Sequence, residues 1–388
     1  MKVGVSMAID IRAQREAVFV LMHKDVAVLE YNMSGKRATV LNTDMVPWGF
    51  NYLGFEEWCA GRVLSMSRKN AKYIMNALMV SQDNSVRTKM QLALAYHCLS
   101  LNDCYWVRRK SDSSKWEDVS LFRNKTENVL TPVSLCGKVS SLFGKKLANS
   151  CDITVDGTYR KSWVRTDVGF ELYKGDDTTQ SKECVRECLA SAVLRALGFD
   201  AIEYTYAEYQ GELVCRSDCF TSEDIEFIPF NAIKQEKENA LEFVKAISLD
   251  DYCKLTLATY IIGNIDLHDG NWGLIRNLNS GLLSFAPLFD FNNAFSDEYV
   301  TRKDIQEMWI PTAKLVDLET GDEVDPRDMF LYDCRYTSEY TMQQAAQLAA
   351  RLLHVKIDQG ALNQIHFYDQ TIKDECMHRV VEINSWSD

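Results

Sequence analysis

The sequence has no CxxC pair, no run of 18 uncharged apolar residues, few histidines and no excess of positive charge. Each absence removes a class of function. The 12 cysteines fall at no paired CxxC or Cys/His spacing, so structural zinc is the weaker account of them. Cys184 and Cys188 are four apart, as are Cys215 and Cys219. The N-terminal stretch "MKVGVSMAIDIRAQREAVFV" carries charges throughout and lacks an apolar leader core. The expectation is therefore a cytoplasmic protein with reduced thiols. Without a long apolar run, no membrane span is expected. Glycosylation tripeptides at 32 and 124 carry no meaning without secretion. Lys and Arg number 43 against 55 Asp and Glu, a net charge of −12. Such a surface repels phosphate backbones, so direct nucleic-acid binding is not expected. Besides His268 there are only His23, His97, His354, His366 and His378. No two of them are motif-spaced, which disfavours a metal-dependent hydrolase built on His268–Asp269. Internal repeats and low-complexity tracts are also lacking.

What is there is ordinary globular composition, 46% hydrophobic and 25% charged over 388 residues. That is enough for a large core and two or three folding units. The pattern divides the chain into three. Residues 1–148 form an N-terminal subdomain. Its small sheet comes from "AVFVLMHKDVAVLEYN" and "KRATVLNTDMVPWGF", followed by helices over 56–102 and a mixed, loop-rich stretch over 103–150. Residues 149–225 alternate strand, strand, helix, strand, strand. The hairpins turn near Asp167–Gly169 and at Gln210–Gly211, and the helix over 181–199 closes at Gly198. Residues 226–388 are dominated by helices. A mixed α/β (α+β) fold with a sheet-rich lobe and a helical lobe follows, and with it a cleft between them.

The densest polar cluster is "IIGNIDLHDGNWGLIRN" (261–277). An apolar helix runs in and ends at Gly263, and a strand runs out. "WGLIRN" and "LLSFAPLFD" flank the turn signal "LNSG", so they read as a hairpin. A hairpin returns its two bases to one place, so Asn271 at one base and Asp290 beyond the other are expected to lie side by side, with Asp266 nearby. Two carboxylates and an amide oxygen suit a hard cation such as Mg²⁺. A carboxylate that the metal does not saturate can accept the proton of an attacking hydroxyl. DxxxxN, a hairpin and then Asp is the constellation of phosphoryl transfer. Asp and Asn also collect in loops as caps and turn formers, so the spacing alone is weak. His268 is expected to fix the loop's backbone.

Upstream, Phe170, Leu172 and Lys174 share one strand face, which turns Lys174 inward unless it snorkels to water. Glu187 lies beside the apolar face of the next helix and is expected to pair with Lys174. Gly157, among Thr154, Asp156, Thr158 and Lys161, reads either as a phosphate loop or as a plain turn. Arg216 to Phe220, with Asp218 between them, are expected to follow the second hairpin as a hinge whose backbone meets adenine.

"YIIGNIDLHDGNWGLI", "APLFDF" and "VRECLASAVLRALGF" together resemble the HipA-like serine/threonine kinases over about residues 150–300. The resemblance implies a bilobal kinase-like fold with an extra N-terminal subdomain, and ATP and Mg²⁺ as cofactors. It implies Asp266 as the catalytic base, Asn271 and Asp290 as metal ligands, Lys174 on the ATP phosphates and Glu187 as its anchor. Thr154, in a Thr-x-x-Gly stretch, matches the family's autophosphorylated serine. This chain departs from the family in that threonine and in the acidic Asp156. The substrate implied is a protein hydroxyl, and toxin members work with a small DNA-binding antitoxin partner. Two alternatives stand beside this reading. One is a small-molecule kinase of the aminoglycoside or choline type, against which the His-Gly-Asp entry to the loop is absent. The other is a degenerate kinase fold serving as a binding module, against which all five key residues are present.

Overall fold

A computed structural model of the chain describes residues 18–65, 68–77, 83–126, 128–138, 159–178, 181–264, 266–295 and 342–387. The class is the expected one, mixed α/β with antiparallel sheets. Two compact units emerge: Met1–Lys174 with Thr221–Glu226, and Gly175–Phe220 with Phe227–Asp388.

In the first unit, β1 (Val18–His23) and β2 (Val26–Asn32) pair antiparallel around Lys24, which takes a left-handed φ of 49°. β3 (Arg37–Val40) pairs with β2. Three helices follow, α1 (Phe50–Ala60), α2 (Ala71–Ala77) and α3 (Val86–Ala95). Gly54 breaks α1 internally with a φ of 71°. The next segment differs from expectation. Instead of loop, Tyr105–Arg109 forms β4 and pairs with β1, completing a sheet of order β3-β2-β1-β4. "YWVRR" is short and its partner lies over eighty residues away, so local pattern gives it little weight. Burial of Tyr105, Trp106 and Val107 decides it. Phe19, Leu21, Val28, Leu29, Phe55, Trp58 and Ile74 pack between sheet and helices. Short helices α4 (Trp116–Val119) and α5 (Thr131–Cys136) lead to neighbouring strands β5 (Arg160–Arg165) and β6 (Phe170–Gly175).

The six residues Thr221–Glu226 are tied into this unit by their own side chains. The Glu226 carboxylate, 1% exposed, accepts the Cys104 N–H at 2.9 Å and lies 2.7 Å from His23 Nε2. Glu223 accepts from Trp116 Nε1 and Arg123 Nε, both at 2.7 Å. A buried carboxylate is tolerable only with such partners.

The second unit begins with α6 (Glu183–Ala196), ended by Gly198 at a φ of 84°. The hairpin β7 (Thr205–Tyr209) and β8 (Glu212–Asp218) turns at Gln210–Gly211, both left-handed, the geometry of a type I′ turn. β9 (Ile225–Pro229) and α7 (Phe230–Glu236) were not foreseen. α8 (Ala240–Ile247) and α9 (Leu249–Ile262) follow, then β10 (Gly273–Asn277) and β11 (Leu283–Phe285) in a sheet of order β11-β10-β9. α10 (Met342–Leu353) and α11 (Gln370–Trp386) complete it. α9 is the unit's axis, buried all round from Leu255 to Ile262, with α8, α10 and α11 against it. Among the described residues no helix is long and apolar enough to cross a membrane.

Candidate active site

The loop after α9 is built by the way that helix starts and stops. Ser248 caps its N-terminus by accepting the Asp251 N–H at 3.1 Å. Gly263 ends it with a φ of 56° and a ψ of 42°. The last carbonyls are satisfied from α11: buried Arg379 donates through Nη1 to Tyr260 O at 3.2 Å and Ile261 O at 2.9 Å. A guanidinium here opposes the negative end of the helix dipole. The Asn264 N–H returns to Thr259 O at 3.1 Å, so the turn that ends the helix is closed by backbone bonds.

Within the loop, polar side chains replace secondary structure. Asn264, 2% exposed, accepts the Asp266 N–H at 3.2 Å. The Asp266 carbonyl accepts the His268 N–H and Asn271 Nδ2, both at 3.0 Å. His268 Nδ1 accepts the Gly270 N–H at 3.0 Å, and its carbonyl accepts the Asn271 N–H at 2.8 Å. The ring is thus a backbone brace in the loop. Asp269 turns away from this cluster, accepting Lys234 Nζ of α7 at 2.9 Å.

The expected return of the chain after β11 takes a different route from the one foreseen. The ladder ends where Ala286 N–H meets Gly273 O at 3.0 Å, and the chain then bridges Leu288 to Ala201 in parallel fashion. Asp290 follows in a left-handed conformation with a φ of 65°, which costs about 1 kcal/mol and is eased for Asp. Its carbonyl accepts Asn264 Nδ2 at 3.5 Å, and its N–H donates to Tyr204 Oη at 3.4 Å. The Phe291 N–H donates to Glu187 Oε2 at 2.9 Å. Phe291 to Ala294 form a β-turn closed by a 2.9 Å bond, and the Phe295 N–H returns to Ile262 O at 3.1 Å. From that turn Asn293 Nδ2 reaches Asp266 Oδ2 at 2.9 Å.

Asp266, Asn271, Asp290 and Glu187 therefore share one hydrogen-bonded network in the second unit. Lys174, 7% exposed, is buried at the end of the first unit. Arg216 and Asp218 lie inside β8 rather than after it, with exposed side chains. The strand runs longer than expected because Val214, Cys215 and Ser217 are buried along it. Thr154 and Gly157 lie outside the described residues. Sequence reasoning missed Asn264 and Asn293, which join the two halves of the network. Asn264 stood in the polar cluster without a role, and burial beside a helix end was its signal. No spacing rule points to Asn293.

Hard oxygen donors dominate the cluster. Asn271 commits Nδ2 to the loop, so its amide oxygen is its remaining acceptor. An amide oxygen and carboxylates are hard donors of the kind Mg²⁺ takes, since it uses few protein ligands and keeps water and substrate oxygens. Among the described residues no group of three His, Cys, Asp or Glu could hold a metal. None of the ten described cysteines forms a disulfide. The thiol hydrogen bond with Cys215, together with burial, pushes Cys184 far above the usual thiol range.

No protein-family model matches the chain. Over 142 residues it is 25% identical to the serine/threonine-protein kinase CtkA of Helicobacter pylori, covering 31% of this chain and 44% of that protein. The chain thus spans less than half the length of the curated relative it matches. The crystal structure of CtkA, described as a proinflammatory kinase, superposes with a TM-score of 0.40 at 18% identity, over 58% of this chain and 90% of that one. HipA, in its complex with HipB and operator DNA from Shewanella oneidensis, gives 0.48 at 12% identity, over 95% and 96%. The match to CtkA in sequence supports the HipA-like kinase resemblance.

Proposed function

We propose that this chain is an ATP- and Mg²⁺-dependent serine/threonine kinase of the HipA-like type, acting on a protein hydroxyl. The observation that carries the reading is the set of bonds in which Asn264 links Asp266 to the Asp290 carbonyl, Asn271 and Asn293 reach Asp266, and Glu187 holds the Phe291 N–H next to Asp290. Asp266 is the proton acceptor. Its backbone is held on both sides, by Asn264 at the N–H and by Asn271 and His268 at the carbonyl. A base whose backbone cannot swing loses little orientation entropy when the acceptor docks. As the hydroxyl oxygen bonds to the γ-phosphorus and the bond to ADP breaks, the hydroxyl proton passes to the Asp266 carboxylate. Asn271 and Asp290 would hold Mg²⁺, which supplies charge neutralisation at the phosphate oxygens. Glu187 holds the backbone beside Asp290, and Lys174 is assigned to the ATP phosphates. Thr154 is assigned as an autophosphorylation site, Gly157 to the phosphate loop, and Arg216 with Asp218 to the adenine side. A small DNA-binding antitoxin partner is part of the reading, as is a cytoplasmic location.

The test is incubation of the purified chain with γ-labelled ATP and Mg²⁺, with and without lysate, followed by phosphosite mass spectrometry. Asp266→Asn and Asp290→Asn should each lower transfer by about a hundredfold or more, and EDTA should abolish it. Transfer by Asp266→Asn at the wild-type rate would show the catalytic assignment to be wrong.

A further inference from the structure

We infer that Asn293 is a positioning residue for Asp266: its side-chain amide sets the orientation of the carboxylate that receives the acceptor's proton. The inference rests on the kinase reading for its consequence, but not for its geometry. The Asp266 backbone is pinned by Asn264, His268 and Asn271. None of these bonds restrains the rotation of the carboxylate about its last torsion. That torsion joins sp³ to sp² carbon and is broad, so packing alone chooses it weakly. The Asn293 Nδ2 donor at 2.9 Å from Oδ2 biases it strongly, because bonds to an ionised carboxylate are about twice the strength of neutral ones.

The donor is itself held. Asn293 is a central residue of the turn closed by Phe291 O and Ala294 N–H, and the Phe295 N–H anchors the far end to Ile262 O. The near end is held by Glu187 through the Phe291 N–H. The orientation of the amide follows from chemistry, since an ionised carboxylate only accepts and must meet the N–H side. The turn begins one residue after Asp290. The segment that carries the proposed metal ligand therefore also aims the base, and displacement of that segment would misalign both together.

The variants are Asn293→Leu, which keeps the size and removes the donor, Asn293→Asp, which sets a like charge against Asp266, and Asn293→Gln, which returns an amide on a longer arm. In a kinase assay, Asn293→Leu should lower kcat about tenfold or more while the KM for ATP stays within about twofold. Asn293→Asp should be worse, and Asn293→Gln should recover part of the loss. A residue needed only for folding would instead lower thermal stability in step with activity. A readout independent of turnover is the side-chain amide resonance of Asn293 in ¹⁵N-Asn-labelled protein, assigned by its disappearance in Asn293→Leu. It should move and lose exchange protection in Asp266→Ala. An unmoved resonance means that the bond does not exist and overturns the inference. A moved resonance with wild-type kcat in Asn293→Leu overturns it too. Absence of transfer by wild type, with the resonance moved, counts against the kinase reading and leaves the positioning geometry standing.

Discussion

Gly273 and Gly281 sit at opposite ends of one hairpin, and alanine at each should do different damage. A Cβ on Gly273 would lie 2.2 Å from Ile228 O and 2.9 Å from Pro229 Cα, both backbone atoms of the neighbouring strand β9. Contacts under 3.0 Å are essentially never made by a real Cβ, so β9 and β10 must part by about 0.8 Å, because no side chain is there to yield. Overpacking of this kind costs about 1–3 kcal/mol, or roughly 3–10 °C in Tm for a unit of this size. The displacement starts two residues from Asn271 and beside Trp272, which stacks on Phe230 at 4.0 Å. A shift near 1 Å at a reacting group can cost about a hundredfold in rate. Gly281 has nothing within 4 Å of its Cβ position but a φ of 74°. Alanine there should cost about 1 kcal/mol in backbone strain and leave activity intact. Calorimetry and kinase assays on both variants separate the cases. If Gly273→Ala matches Gly281→Ala in both Tm and turnover, the close approach of β9 to β10 does not exist as described.

Three further outcomes are expected. Lys174→Ala should impair ATP use more than Glu187→Ala, and the double variant should be little worse than Lys174→Ala if both act through one contact. Additive losses would assign Glu187 to the Phe291 backbone alone. Burial pushes the Cys376 thiol up to about 12 from an ordinary 9.0, and its Sγ lies 3.6 Å from Ile261 O. Because the folded value is the higher, its contribution to stability is present below pH about 9 and lost as the pH rises towards 12. Cys376→Ser should flatten that part of the stability profile, and native Cys376 should resist alkylation at pH 8. Phosphate on Thr154 would add about −1.5 to −2 charges and weaken ATP binding. Mass spectrometry should find it in wild type and not in Asp266→Asn, and an unmodified Thr154 in fully active enzyme would refute self-inactivation.

Local pattern determined much of this molecule on its own. The hairpins around Lys24, Asp167–Gly169 and Gln210–Gly211, the helix closed by Gly198 and the helix stopped by Gly263 all follow from turn chemistry and periodicity. Those signals act within a few residues, so they are legible without a fold. The same holds for the polar stretch from Asn264 to Asn271, where so many unpaired polar groups beside buried elements require partners. Tertiary structure decided the rest. β4 became a strand because β1 needed a second neighbour, and Thr221–Glu226 joined the first unit because Glu223 and Glu226 found buried donors there. Asp290 met the loop through the carbonyl that Asn264 reaches, not through the hairpin ladder. Asn293 came to Asp266 across 27 residues of chain. Hydrogen bonds between groups so far apart leave no periodicity behind, because only folding makes them neighbours.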